Sequence, residues 1–218
     1  MKKIKTLFVI DRDTNLATQT PNEGTDWVFN GEGIATIKFD GTACMVKDGV
    51  LYKRYDRKLK KQFTQKARFL GSDFVTTDDM FGEVPDGAIP CEEKPDPKSF
   101  HFPHWIPVSK DNPQDKFHVD AFSRGNFEDG TYELLGPKIN GNAYELTENK
   151  LVKHGSEVVD VPDRSYDGMF NFLVGLHGEG VVFHHPDGRM VKCRRKDYGL
   201  FWNKEDLRDN RPNGKFKR

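Results

Sequence analysis

Cysteine is scarce in this sequence: three residues in 218, Cys44, Cys91 and Cys193, far apart and odd in number. That excludes a disulfide framework and a zinc site built on paired cysteines, and it predicts a reducing, cytoplasmic setting. Long apolar runs are missing as well. The first candidate, residues 7–10, is cut short by Asp11-Arg12-Asp13. It is too brief for the apolar core of a secretory signal, and no run reaches membrane length, so no membrane partner is expected. Net charge is absent too: 34 Lys and Arg balance 34 Asp and Glu, so bulk charge neither favours nor disfavours a nucleic-acid partner. The histidines His101, His104, His118, His184 and His185 lack a spacing that would bring ligands to one face, which argues against a histidine metal centre. There are no internal repeats and no low-complexity segments.

What is present is a globular composition, 31% charged and 35% hydrophobic, in a chain long enough for one well-buried domain over residues 1–218. Charge is unevenly spread. Residues 53–68 hold Lys53, Arg54, Arg57, Lys58, Lys60, Lys61, Lys66 and Arg68; residues 192–196 and the tail 215–218 are also basic, and acids gather over 78–93. Any one such run is as often a solvated surface as a phosphate-binding one. Alternation predicts strands over 3–10, 33–39, 43–46, 117–122 and 130–135. Hairpins are predicted at 43–55, around Lys47-Asp48-Gly49, and at 180–195, around Pro186-Asp187-Gly188. Residues 56–73 read as a basic loop with a short helix, and the proline-rich stretch 85–113 as an ordered loop excursion. Ser165 is placed to cap a helix reaching about Leu176, with Met169, Phe170, Leu173 and Leu176 on one face. Many strands and few helices predict an α+β fold of mostly antiparallel sheets with flanking helices. Residues 200–218 are expected to pack on it as a C-terminal extension.

The chemistry begins at Lys38-Phe39-Asp40-Gly41. A lysine just past a strand, followed by Asp-Gly at a tight turn, can be held still at the mouth of a sheet. Lysine attacks only as the neutral amine, so such a nucleophile needs burial or neighbouring cations to release its proton. Alone the pattern usually marks a surface turn. Its meaning comes from the residues that follow in order. Arg54 lies on the partner strand of the first hairpin, with a fork suited to phosphate. Glu133 is the single acid in an apolar strand, where a carboxylate needs donors such as a ribose hydroxyl. Glu179 opens the last hairpin, at a strand entrance where it can hold a divalent metal or its waters. Alternation puts Lys192 and Arg194 on one face, and two adjacent cations favour an anion between them.

This ordered series resembles the motifs of the covalent nucleotidyltransferase superfamily of DNA ligases, RNA ligases and capping guanylyltransferases. Lys38–Gly41 resembles the first motif, Arg54 the next, Glu133 the third, Glu179 the fourth, and Lys192 with Arg194 the fifth. Longer strings narrow the likeness to the small ATP-dependent 5′-to-3′ RNA ligases, the vertebrate enzyme and its phage relatives. These strings are Lys38-Phe39-Asp40-Gly41-Thr42, Asp56-Arg57-Lys58, Glu133-Leu134-Leu135-Gly136, Ile139-Asn140-Gly141-Asn142, Leu151-Val152-Lys153-His154-Gly155 and Glu179-Gly180-Val181-Val182-Phe183-His184. They span about residues 33–199. Two positions depart from the pattern: Ile37 stands where many ligases carry glutamate, and Arg194 replaces a lysine.

The resemblance implies a nucleotidyltransferase (ligase adenylation) fold without an appended oligonucleotide-binding domain. It implies ATP and Mg2+ (or Mn2+) as cofactors and RNA with 5′-phosphate and 3′-hydroxyl ends as partner. Lys38 would carry AMP. Asp40 and Gly41 would shape the turn, Glu133 would hold the ribose and Glu179 the metal. Arg54, Lys192 and Arg194 would bind phosphate, with any general-acid role falling to Lys192 because arginine keeps its proton. His154 would line the nucleotide pocket, and Arg57, Lys58, Lys60 and Lys61 would meet the nucleic-acid backbone. DNA ligation, GTP-dependent capping and a non-catalytic nucleotide-binding module are the competing readings.

Overall fold

In the computed structural model, which describes residues 4–97 and 99–202, the N-terminal alternation yields two short strands rather than one. They are β1 (Lys5–Thr6) and β2 (Phe8–Ile10). The chain bends between them because Leu7 is fully buried and because the Asn22 side-chain amide donates to the carbonyls of both Thr6 and Phe8. β2 pairs with β3 (Ala17–Pro21); a short helix, α1 (Asp26–Phe29), then leads into β4 (Ile34–Lys38). Backbone packing sorts the described residues into two units, each gathered from separate stretches. Thr42–Leu134 with Asn149–Leu151 form the first, and residues 4–41, 135–148 and 152–202 the second.

The first unit opens with β5 (Thr42–Lys47) and β6 (Val50–Arg57), the predicted hairpin. Asp48 and Gly49 both take left-handed backbone, with φ 51° and 73°, as a two-residue turn matched to strand twist requires. The basic stretch that follows carries helix α2 (Lys61–Leu70). The expected loop excursion instead contributes two strands, β7 (Ile89–Pro90) and β8 (Phe102–Pro107), the latter buried from Phe102 to Ile106. Its aromatic density is explained by that burial. The expected strand over 117–122 is a helix, α3 (Lys116–Ser123): its buried positions His118 and Ala121 are three apart, a helical rather than an alternating period. Asn112 starts this segment by accepting a hydrogen bond from the Gln114 amide. β9 (Gly130–Leu135) and β10 (Lys150–Lys153) complete a sheet ordered β10-β9-β5-β6-β8-β7.

The second unit adds β11 (Val158–Val159), helix α4 (Tyr166–Gly175), β12 (Gly180–His184) and β13 (Met190–Arg194). Its sheet runs β1-β13-β12-β4-β11 and is antiparallel except where β1 meets β13. α4 matches its prediction. The Ser165 hydroxyl accepts from the Gly168 amide, and Met169 and Leu173 are fully buried, although Phe170 is exposed at its edge. These side chains pack with Ala35, Val181, Phe183, Val191 and Cys193 in one core. The described chain is therefore α+β with mostly antiparallel sheets and few helices. No helix among the described residues is long and apolar enough to cross a membrane. The expected packing of residues 203–218 lies outside the described residues, as does the basic tail.

The register of the second sheet fixes what its other face can display. Lys38 and Arg194 lie on either side of Gly180, and Thr36 and Lys192 on either side of Val182. A Cβ at Gly180 would sit 2.1 Å from the Cys193 carbonyl oxygen and 2.7 Å from the Arg194 Cα. Both atoms are backbone, so they cannot yield without shifting β13. Gly180→Ala is therefore expected to lower stability by roughly 1–3 kcal/mol or more, as for overpacked cores. Urea unfolding checks this, and an unchanged midpoint would refute the close approach.

Candidate active site

Alternation on three strands sends Ala35, Val181, Phe183, Val191 and Cys193 into the core, leaving Thr36, Lys38, Lys192 and Arg194 together on the opposite face. Lys38 ends β4, and its amine forms an ion pair with Glu179 Oε2. The two side chains are 24% and 17% exposed, so the pair is reachable yet partly shielded. Glu179 is pinned through its backbone. Its amide donates to the Lys38 carbonyl at 3.0 Å, and its carbonyl accepts from the Arg195 amide at 2.9 Å. The residue thus stitches β4 to the end of β13 just before β12 begins.

Behind this pair the two motif cations are treated differently. Arg194 is gripped by Asp197, with Nε–Oδ2 at 3.0 Å and Nη2–Oδ1 at 2.7 Å, and that carboxylate is itself buried. Lys192 makes no side-chain hydrogen bond or ion pair among the described residues. Burial, then the charges of Arg194 and Lys38, outweigh the carboxylates of Glu179 and Asp197 and bring its pKa down to about 8. The face therefore carries a surplus of positive charge in a half-buried place, which is what an incoming phosphate would relieve.

The turn after Lys38 is held from a segment whose sequence string had no assigned role. Asn140 Nδ2 donates to Asp40 Oδ1 at 2.8 Å and to the Gly41 carbonyl at 2.9 Å, and the Asp40 amide donates to the Tyr144 hydroxyl at 2.9 Å. Asn140, Gly141 and Asn142 all have left-handed backbone, with φ of 41°, 71° and 54°. Asn and Gly tolerate that region best, so the Asn-Gly-Asn string was a readable signal for a tight loop. Asp197 had a weaker signal, a carboxylate three residues past an arginine at a strand end. On the same sheet face, Thr36 Oγ1 lies 2.9 Å from His184 Nε2. Burial and nearby His154 lower the His184 pKa, which places His154 beside this pair.

The remaining predicted residues belong to the first unit. Glu133 on β9 is 8% exposed and lies opposite Ala43 of β5. Arg54 on β6 pairs through Nε with Asp56 at 3.1 Å, and strand alternation gives it and Glu133 the same sheet face. Arg57 is an internal tie. It is buried, bonded to both Asp78 carboxylate oxygens and the Gly82 carbonyl, with its guanidinium 5.7 Å from the rings of Phe81 and Phe102. Lys60 is also engaged, donating to the Asp79 carbonyl at 2.8 Å. Lys58 and Lys61 stay exposed.

Comparison with known proteins sets similarities beside this geometry. A family model described as RNA ligase 1 matches residues 114–213. That match covers just under half of the chain. RNA ligase 1 of Rattus norvegicus is 29% identical over 239 residues, covering 86% of this chain and 74% of the relative. RNA ligase 1 of Mus musculus is also 29% identical, with 86% and 73% covered, and that of Danio rerio is 26% identical, with 77% and 68% covered. The resemblance read from the motifs and these similarities point to the same kind of protein, RNA ligases.

Asn140→Ala removes two hydrogen bonds from the Asp40–Gly41 turn, each worth about 1 kcal/mol net. Amide exchange at residues 40–42 is expected to rise roughly tenfold or more, while α4 keeps its protection. Equal exchange in both proteins would show that Asn140 does not hold the turn.

Proposed function

We propose that this protein is an ATP-dependent RNA ligase with a nucleotidyltransferase fold, joining 5′-phosphate to 3′-hydroxyl ends through AMP carried on Lys38. The observation that carries the reading is the shared sheet face of Lys38, Lys192 and Arg194 with Glu179 paired to the lysine amine, in a chain similar to RNA ligase 1. The similarities support an RNA ligase function in general terms, and the chemistry of the face supports the finer steps.

In the first step the neutral Lys38 amine attacks the α-phosphorus of ATP. An N–P bond forms, the bond to the bridging oxygen breaks, pyrophosphate leaves and the amine loses a proton. Glu179 Oε2 already touches that amine and keeps it aimed. Lys192, with its pKa near 8, is charged at neutral pH yet able to give up a proton, which suits it to steady and protonate the departing oxygen. Arg194, oriented by Asp197, adds a fixed cation for the α-phosphate. The AMP then passes to an RNA 5′-phosphate, and a 3′-hydroxyl attacks that activated end and expels AMP. On the resemblance alone, Glu133 takes the ribose, Arg54 a phosphate and His154 a place beside the nucleotide.

No group of three or more His, Cys, Asp or Glu side chains suited to a metal occurs among the described residues. Glu179 would hold Mg2+ or Mn2+ in the manner of a cation that takes most of its ligands from phosphates and water. When bound, such an ion would polarise the phosphates and offset developing negative charge. The three free thiols fit a reducing cytoplasm.

The covalent step is tested by incubating the protein with α-labelled ATP or GTP and a divalent metal, then denaturing it. Label from ATP, retained by the wild type and lost in Lys38→Ala, is the expected result. An unlabelled wild type, or label that survives the substitution, would sink the proposal. The pH dependence separates Lys192. Its free-enzyme pKa near 8 means the cation is present below that pH and lost above it, so kcat/KM for adenylation should fall as pH rises past about 8. Lys192→Arg cannot shed its charge and should hold a plateau to higher pH, at lower absolute rate. The same fall in both proteins would remove Lys192 from the step.

A further inference from the structure

A second charged place lies wholly within the first unit, around helix α2. Its inner face, Thr64, Ala67 and Arg68, walls a cavity of about 560 Å3 together with Lys58, Phe100 and His101. That volume is in the range of sites that enclose a small molecule or one nucleotide unit. Lys58 and Arg68 are exposed and make no ion pair or side-chain hydrogen bond among the described residues. The one acid in the wall, Asp56, is paired with Arg54. Arg57, which also borders the cavity, is fixed by Asp78 and Gly82 and so stiffens the wall. The far wall is set before any ligand arrives: Ser99 donates from amide and hydroxyl to Asp96 at 2.6 and 2.8 Å, and Phe100 keeps a left-handed φ of 54°.

The outer face of α2 is unusual for a surface helix. Gln62, Gln65, Lys66 and Phe69 follow one another at helical spacing, and Phe69 is 88% exposed. Among the described residues, a phenylalanine ring held in water beside amides and a lysine has no packing reason to be there. Leu70, at 36% exposure, extends the apolar tip. Basic groups with an interleaved exposed ring make the pattern that binds single-stranded nucleic acid, the cations tracking phosphates and the ring stacking on a base. An acidic peptide would use the cations and leave the ring unexplained.

We propose that α2 and the cavity behind it hold single-stranded RNA, with phosphates between Lys58 and Arg68 and a base stacked on Phe69. The choice of RNA rests on the function proposed above. Binding is read without ATP, however, so failure of Lys38 labelling and failure of this surface are separate results.

The test is fluorescence anisotropy of the full chain with an end-labelled, 5′-phosphorylated, unstructured oligoribonucleotide over a range of salt. Phe69→Ala should weaken binding by roughly fivefold or more, with an unchanged salt slope, because base stacking is worth about 1–3 kcal/mol. Lys58→Ala with Arg68→Ala should lower the log–log salt slope by about 1.4, at about 0.7 per phosphate contact on a single strand. All three side chains are exposed, and thermal melts of the variants should match the wild type. Affinities within twofold and an unchanged slope would overturn the assignment. So would displacement of the RNA by polyaspartate at equal charge concentration.

Discussion

β4, β12 and β13 are locked side by side with Gly180 between Lys38 and Arg194, and the second unit is organised around that register. Strand alternation splits the residues of these strands into an apolar set that meets α4 and a polar set that does not. A slip of one residue would send Lys38, Lys192 and Arg194 into the core and lift Val181 and Cys193 out of it. The hydrophobic effect therefore positions the charges: burial of Met169, Leu173, Phe183 and Val191 against one face is what presents the cations on the other.

Charge compensation on that presented face is graded. Lys38 has Glu179, Arg194 has the buried Asp197, and Lys192 is left with only indirect help from both carboxylates. Uneven pairing gives three cations three characters: one aimed, one fixed, and one whose proton is loosely held. An even distribution of acids would have made the sheet face more comfortable and less receptive to an anion.

Much of this was legible in the sequence where local rules govern. Alternation in residues 180–195, the Asp48-Gly49 turn and the Ser165 cap each follow from short-range chemistry, and each is found in the structure. The reading failed where tertiary context decided. Residues 117–122 have apolar positions that suit either period, and the helical one prevailed there. Residues 102–107 looked like a loop because prolines flank an aromatic run, yet they form a buried strand beside β6. At the site, Lys38, Glu179, Lys192 and Arg194 were recognisable as an ordered series. Asn140 was marked only as part of a loop string, and Tyr144 and Asp197 were not singled out, since the role of a residue that holds another shows only when the two are seen in contact. Arg57 differs from its neighbours in the basic run: most of them are exposed, while it is buried against the rings of Phe81 and Phe102.

The pairing of β4 with β12 also has a meaning for how the chain comes into being. Lys38 meets Glu179 across 141 residues of sequence, and the strand beside it cannot form its ladder until the last hairpin has been synthesised. Until then β4 is an unmatched edge, carrying Lys38 and exposed to wrong partners. Contacts of such long separation slow the search for the native state. The lysine meets its carboxylate partner only after residues 179–194 have left the ribosome, so a nascent chain that stops short of them would carry Lys38 without that pairing.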